Sequence, residues 1–529
     1  MSQAGVTPRG WLPTNPLGWA ALVAALLAAA PLLGVLYAAL GAERAGIAGH
    51  ELWRYAGTSA VLAVVVGVLV AIIGTATAWL TVMHDFPGRR VLTWALVLPL
   101  AVPGFALAYA YADMLDVGGA LRMWLREEFG INPMWSIRSI PGAAFVLSLA
   151  FYPYVYLAMR AAFLMQSADL MDASRTLGAS RWRALAAVAI PVARPALAAG
   201  VALAVMETLA DFGAVRYLSV QTLTTGVVRA WSVFGSTASA ATLALPLMAA
   251  AFLLLWVERS ARRGKVHEGG KGRLRPLTVT RLTGTRAALA TTACALPVIL
   301  GLLLPAAWLA HLALAQTPDL SRLTAAATRS LALGLSGAAL TVLLATLLAV
   351  GGRGRPTLLR LASLGYATPG AVMAIGLLVP ASLLWNAGIM SSGLVIGVAL
   401  LLLAYAARLM AAALEPIEAG LERIAPSTRH AARMLGKGPV GGAVAVDLPL
   451  ARGAVLTAAL LVFIDIVKEL PATLILRPFN FDTLAVIANN YALDERLGQA
   501  GLPSLIVVAL ALGPVIWLSR RIAAVRPVG

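Results

Sequence analysis

Runs of about twenty apolar residues recur along this chain, and each is long enough to cross roughly 30 Å of hydrocarbon. Inside a bilayer no water is available to bond a bare N–H or C=O, so a crossing segment must be a helix or part of a closed barrel. A barrel would alternate apolar and polar residues over about ten positions, and that alternation is absent. The composition agrees: 60% of the 529 residues are hydrophobic and 12% are charged, against about 25% charged in soluble domains. The expected fold is an all-α polytopic membrane protein. Twelve transmembrane spans are predicted, near 18–40, 57–83, 91–113, 142–163, 191–213, 240–257, 287–315, 328–351, 358–384, 391–414, 450–472 and 503–519. The first run, from Gly18 to Leu40, is too long for a signal peptide and reads as a span.

The formal net charge of +18 belongs to the membrane, not to nucleic acid. No zinc, RRM or helix-turn-helix signature accompanies it. Lys and Arg concentrate in cytoplasmic loops of membrane proteins. Alternate loops here hold Arg89 and Arg90, then Arg175, Arg181 and Arg183, then Arg353 and Arg355, then Arg423, Arg429, Arg433 and Lys437. The C-terminal tail adds Arg520, Arg521 and Arg526. The opposite loops mix signs, as in Glu127, Glu128 and Arg126. This bias predicts that both termini and all the basic loops are cytoplasmic. The single cysteine, Cys294, excludes an intrachain disulfide. The five histidines are scattered without metal-ligand spacing, so no metal site is assigned.

One polar segment occurs twice. Asp172-Ala173-Ser174-Arg175-Thr176-Leu177-Gly178 runs on to Pro191, and His430-Ala431-Ala432-Arg433-Met434-Leu435-Gly436 runs on to Pro449. Both the glycines and the prolines lie 258 positions apart. Each copy reads as a short helix-turn-helix on the cytoplasmic surface. Ala173 and Ala431 are small enough for another backbone to approach. Gly178 and Gly436 suit a helix C-terminus, and Pro191 and Pro449 are expected to open the next span. The chain therefore divides into a first repeat, 1–258, with its loop near 168–191, and a second repeat, 287–529, with its loop near 418–449. A Gly-rich basic linker, 259–286, joins them on the cytoplasmic side. Six spans in each half put the repeats in parallel orientation.

Two further repeats carry chemistry. Pro103-Gly104 and Pro369-Gly370 interrupt the predicted third and ninth spans, which marks a packing kink or a hinge beside a pathway. Glu207 and Asp211, four apart, are expected on one helical face, as are Asp465, Lys468 and Glu469. The acids 207/465 and 211/469 are again 258 apart. Glu207 stands sixteen residues beyond Pro191, about 24 Å up a helix at 1.5 Å per residue. That places the set near the outer mouth, as a translocation pathway or as a structural gate. Acids inside a membrane are costly and face a cavity or each other. Tyr109, Tyr111, Tyr152, Tyr154 and Tyr156 also suggest phenolate ligands, but a spacing of two scatters them around a helix. No Gly-x-x-x-x-Gly-Lys-Ser/Thr loop and no catalytic constellation is present, so no catalytic residue is assigned.

The repeated segment resembles the coupling loop of ABC importer permeases, a pattern of Glu-Ala-Ala, three residues, Gly, nine residues and an apolar pair ending in Leu-Pro. It departs from that pattern where Asp172 and His430 stand at the acidic position. The segments from Met206 to Gly226 and from Asp465 to Ala485 are similar to those of fused, twelve-span ferric-iron permeases, with thiamine and phosphonate permeases close behind. The resemblance implies a transport subunit without enzymatic activity or bound cofactor, in the bacterial inner membrane. It implies two copies of an ABC ATPase, carrying ATP and Mg, docked on Asp172, Ala173, Ser174, Gly178 and Pro191 and on His430, Ala431, Ala432, Gly436 and Pro449. A periplasmic ferric-binding protein would deliver substrate to the outer face. An ATPase-independent secondary transporter using the same acids is the alternative that the paired loops disfavour.

Overall fold

The computed structural model describes residues 16–41, 49–131, 136–165, 188–262, 279–353, 355–386 and 393–524. Among them ten helices are long and apolar enough to cross a membrane, or up to eleven if one bent pair counts as a span. The ten are Pro16–Leu40, His50–Met83, Ile140–Leu164, Ile190–Ala210, Thr237–Val257, Gly284–Leu314, Leu320–Gly351, Gly393–Glu422, Pro439–Val467 and Leu497–Arg521. The all-α membrane architecture is as expected.

Two of the predicted spans are not straight helices. The third becomes Arg89–Ala101 followed by Gly104–Phe129, with a bend of 92° between them. The ninth becomes Pro356–Ser363, a 3₁₀ turn over Leu364–Ala367, and Gly370–Asn386. Both breaks fall at the Pro-Gly pairs. Val102 and Thr368 take extended backbone just before the proline, as a residue preceding proline prefers. Pro103 then serves as N-cap, and Gly104 opens the next helix. An apolar run reads the same whether it crosses or turns back, so hydropathy alone does not reveal the break.

The chain forms two compact units that interleave the predicted repeats. One gathers Met1–Ile47, Val227–Met248 and Thr324–Val486. The other gathers Ala48–Gly226, Ala249–Leu323 and Ile487–Gly529. In the first unit the helix Pro16–Leu40 packs on Gly370–Asn386 and on Gly393–Glu422. It turns Ala21, Ala24, Ala25 and Ala28 inward while Leu33, Leu36, Tyr37 and Leu40 face out. Small residues inside and large ones outside is the pattern of a helix in lipid, where close backbone approach drives packing. In the second unit Gly49–Met83, Ile140–Leu164 and Ile190–Ala210 pack together, and Leu304–Leu314 packs against Leu497–Ala524. A short parallel bridge pairs His84 with Thr280 and Asp85 with Arg281.

Of the two prolines at the repeated loops, Pro191 stands second in its span, Ile190–Ala210, as expected, but Pro449 does not open its span. Pro449 lies inside a continuous helical stretch, Pro439–Val467, ten residues past its start. A π-helical turn, Ala443–Asp447, comes just before it. The same order recurs where Ile299–Leu303 precedes Leu304-Pro305, and where π-helical residues 188–189 precede Ile190-Pro191. A proline in a helix lacks its N–H and crowds the carbonyl four residues back. A wider turn at that point gives the ring room.

Candidate translocation and docking sites

The Pro-Gly breaks and the predicted gate acids form one device, built once in each unit. In one unit the helix Ile190–Ala210 ends just before Asp211, whose backbone is extended at ψ 136°. Asp211 therefore does not share a helical face with Glu207, which stays half-buried in the last turn. Its carboxylate Oδ1 accepts from the N–H groups of Ala214 (3.0 Å) and Val215 (3.1 Å) in the short helix Gly213–Tyr217. Its Oδ2 lies against Gly104, where an added Cβ would sit 2.8 Å away.

The other unit repeats this arrangement residue for residue. Glu469 follows the end of the helix Leu448–Val467 and accepts from Ala472 N (Oε1, 2.9 Å) and Thr473 N (Oε2, 3.0 Å) of the helix Pro471–Leu476. A Cβ at Gly370 would meet Glu469 Oε1 at 2.4 Å. Each carboxylate is thus wedged between two helix N-termini, the short helix it caps and the helix that begins at the Pro-Gly break. Open N–H groups and the helix dipole favour an anion at both ends. Glycine at the break is what lets the carboxylate approach so closely.

The second copy is the more heavily bonded. Thr473 Oγ1 donates to Glu469 Oε2 at 2.7 Å and contacts the Tyr405 hydroxyl at 2.7 Å. Arg408 Nη1 lies 3.6 Å from Oε1, and Glu469 is only 4% exposed. Thr473 corresponds to Val215 at the repeat spacing of 258, and Leu147 lies against Gly104 where Arg408 lies against Gly370. Among the described residues no Lys or Arg forms an ion pair with Asp211. Asp465 does not join Glu469 on one face either: it pairs with Lys468 at 2.9 Å. These bonds spend Asp211 and Glu469 on backbone, which suits a locked bend better than a cation ligand. Tyr111 and Tyr156 likewise donate their hydroxyls to the carbonyls of Leu300 and Thr93, at 2.6 and 2.7 Å.

The first docking loop, with Asp172, Ala173, Ser174 and Gly178, lies outside the described residues. The second carries His430, Ala431 and Ala432 on the helix Pro426–Met434. Gly436 follows with φ +76°. Its N–H donates to Arg433 O (2.9 Å), and the N–H of Lys437 donates to Ala432 O (3.1 Å). This pair of bonds is the Schellman ending of a helix, which favours Gly at the left-handed position. Nothing lies within 4 Å of a Cβ built there, so a side chain would be strained only by the backbone. Gly436→Val should weaken this ending by about 1–2 kcal/mol. Hydrogen exchange at the amides of Gly436 and Lys437 should then quicken by roughly tenfold, with Gly436→Asn less affected. Unchanged exchange in the valine variant would contradict the assignment.

Sequence reading missed the two most exposed apolar residues of this loop. Met434 is 88% exposed and Leu435 is 81% exposed. His430 and Ala431 are exposed beside them, whereas Ala432 is buried against its own unit. An apolar knob framed by polar side chains is the makeup of an interface core. The signal was present in the sequence, but in a chain this apolar a Met-Leu pair does not stand out.

Residues 63–265 match the family described as the binding-protein-dependent transport system inner membrane component. The chain is 26% identical to the Fe(3+)-transport system permease protein FbpB 2 of Haemophilus influenzae, over 96% of this chain and 99% of that one. It is 29% identical to the sulfate transport system permease protein CysT of Escherichia coli, over 30% of this chain and 55% of that one. It is 35% identical to the molybdenum transport system permease protein ModB of Escherichia coli, over 26% and 58%. Among solved structures, a bacterial ABC transporter involved in import of the polysaccharide alginate aligns with 44% of this chain and 89% of its own, at 12% identity and a TM-score of 0.35. The chain is thus similar to inner membrane permeases of binding-protein-dependent transport systems, over 63–265 by the family pattern and over nearly its whole length by one relative. Within that class it resembles, along nearly its whole length, a permease for ferric iron.

Proposed function

We propose that this chain supplies the entire membrane pathway of an importer for ferric iron. Repeats 1–258 and 287–529 provide its two halves, and 259–286 joins them. The observation that carries the iron reading is the end-to-end match to an Fe(3+) permease, against matches to about a quarter or a third of the chain for the sulfate and molybdenum permeases. The basic ends of the helices face the cytoplasm with both termini, by the excess of Lys and Arg there. Two copies of an ATPase, binding ATP and Mg, dock on Asp172–Gly178 and His430–Gly436. Met434 and Leu435 form the apolar centre of the second contact. A periplasmic binding protein delivers substrate at the opposite face. Closure of the ATPases draws the loops together and rocks the helices around the Pro103-Gly104 and Pro369-Gly370 breaks. Glu207, half-buried in the last turn of Ile190–Ala210, and Asp465, paired with Lys468, are the acids assigned a role along the path.

Uptake of labelled ferric iron and labelled molybdate, in cells with and without the gene, tests substrate and class together. Loss of iron uptake alone supports the proposal. Loss of molybdate uptake alone moves the chain to the oxyanion reading that the shorter matches favour. The variant Met434→Asp/Leu435→Asp should reduce ATPase co-purification at least tenfold, as expected for hot-spot residues of about 2 kcal/mol or more. Undiminished co-purification would remove this knob from the docking site.

A further inference from the structure

Behind the second docking loop lies a cavity of about 440 Å³ in one compact unit. Its wall carries Arg353, Arg355, Arg429, Arg433 and Lys437, with Asp447 as the sole acid among the described residues. Asp447 is buried and already committed: its Oδ2 accepts from Arg353 Nη1 and its Oδ1 from Arg429 Nε, both at 2.8 Å. Arg429 is also tied to the carbonyl of Leu421 at 2.6 Å. Nη2 of Arg353 is buried and has no acceptor among the described residues. A buried donor left without a partner is costly. Five cations around one carboxylate also repel one another. Both features are relieved by an added anion with several acceptor oxygens.

Three membrane helices begin or end at this cavity. Pro16–Leu40 and Pro439–Val467 start there, with Leu17 and Pro439 in the wall, and Leu320–Gly351 stops there, with Gly351 in the wall. The cavity therefore lies at the level where spans leave the apolar layer, the depth of lipid headgroups. Basic pockets between helix ends at this depth suit anionic headgroups, and guanidinium groups grip phosphate with paired N–H donors. Asp447 and Arg429 correspond to Ala189 and Met171 at the repeat spacing of 258, so the first repeat lacks the same clamp in its sequence.

We propose that this cavity binds a phosphate ester, supplied by an anionic phospholipid headgroup, and that the bound phosphate braces the loop helix Pro426–Met434 through Arg433 and Lys437. The test uses the full chain in nanodiscs of phosphatidylcholine with and without phosphatidylglycerol, with retained lipid read by native mass spectrometry. Wild type should retain phosphatidylglycerol over phosphatidylcholine. Arg433→Gln/Lys437→Gln removes two exposed cations with no other bond to break among the described residues, so its melting in phosphatidylcholine alone should be unchanged. Its phosphatidylglycerol affinity should fall roughly thirtyfold, at about one surface charge's contribution each. Arg353→Gln should weaken binding further while also loosening Asp447. Displacement of the lipid by inorganic phosphate would support the anion site and move its source to solution. Equal retention of the two lipids, or unchanged binding in the double variant, would overturn the proposal. So would a double variant that keeps its lipid but loses the ATPase, since the cations would then serve a protein contact.

Discussion

Glu469→Ala is expected to destabilise its unit by about 3–5 kcal/mol, the range for removing one partner of a buried charged pair. The variant deletes the acceptor of Ala472 N, Thr473 N and Thr473 Oγ1 in one step, and takes the carboxylate away from Arg408. Glu469→Gln should cost less, about 1–3 kcal/mol, because one of its two arms becomes a donor facing donors. The first copy should respond differently. Only Oδ1 of Asp211 takes the two backbone bonds, so Asp211→Asn can keep both on its amide oxygen and should cost about 1 kcal/mol or less. Thermal unfolding of the four proteins, wild type included, in one detergent checks the order. Equal losses at positions 211 and 469 would mean that the extra bonds from Tyr405, Arg408 and Thr473 contribute nothing.

That asymmetry was half-visible in the sequence. The spacing of 258 found the pair 211/469, and Pro-Gly marked 103–104 and 369–370, but nothing in one dimension says that the two features touch. The touching depends on where the helices Ile190–Ala210 and Leu448–Val467 stop. Both stop before the acid, and an apolar run followed by Asp-Phe-Gly or Lys-Glu-Leu-Pro carries no strong stop signal until the proline. Glu207 and Asp211 share no helical face for that reason. The same limit hid the 92° bend, since hydropathy measures affinity for lipid and is blind to direction. Spans such as Leu320–Gly351 were legible because length and apolarity alone define them. Met434 and Leu435 were not, because exposure in an apolar chain is decided by packing and not by residue type.

Gly376→Leu is expected to have the largest steric effect of any single substitution in the helix Gly370–Asn386. A Cβ at Gly376 would lie 1.9 Å from the carbonyl oxygen of Pro31, and one at Gly34 would lie 1.9 Å from the carbonyl oxygen of Gly376. The obstructing atoms are backbone on both sides, so no rotamer change relieves the clash and the two helices must separate. In a bilayer that separation is not opposed by water, and the contact rests on close van der Waals packing alone. The loss should be about 3 kcal/mol or more, at the upper end for overpacking. Gly34→Leu should match it, and the double variant should cost much less than the sum, since both side chains force the same separation. Gly453→Ala supplies the contrast. Its Cβ meets nothing within 4 Å, so the change should stabilise the helix Leu448–Val467 by about 0.5–1 kcal/mol through lost chain entropy. Folded yield and melting temperature in detergent measure all four proteins. If Gly376→Leu melts with wild type, the helix Pro16–Leu40 does not cross Gly370–Asn386 at these glycines. Strong loss at both glycines with additive costs would mean that each clashes at a separate contact. Strong loss without additivity is the outcome that ties the first helix of the chain to a helix more than three hundred residues later.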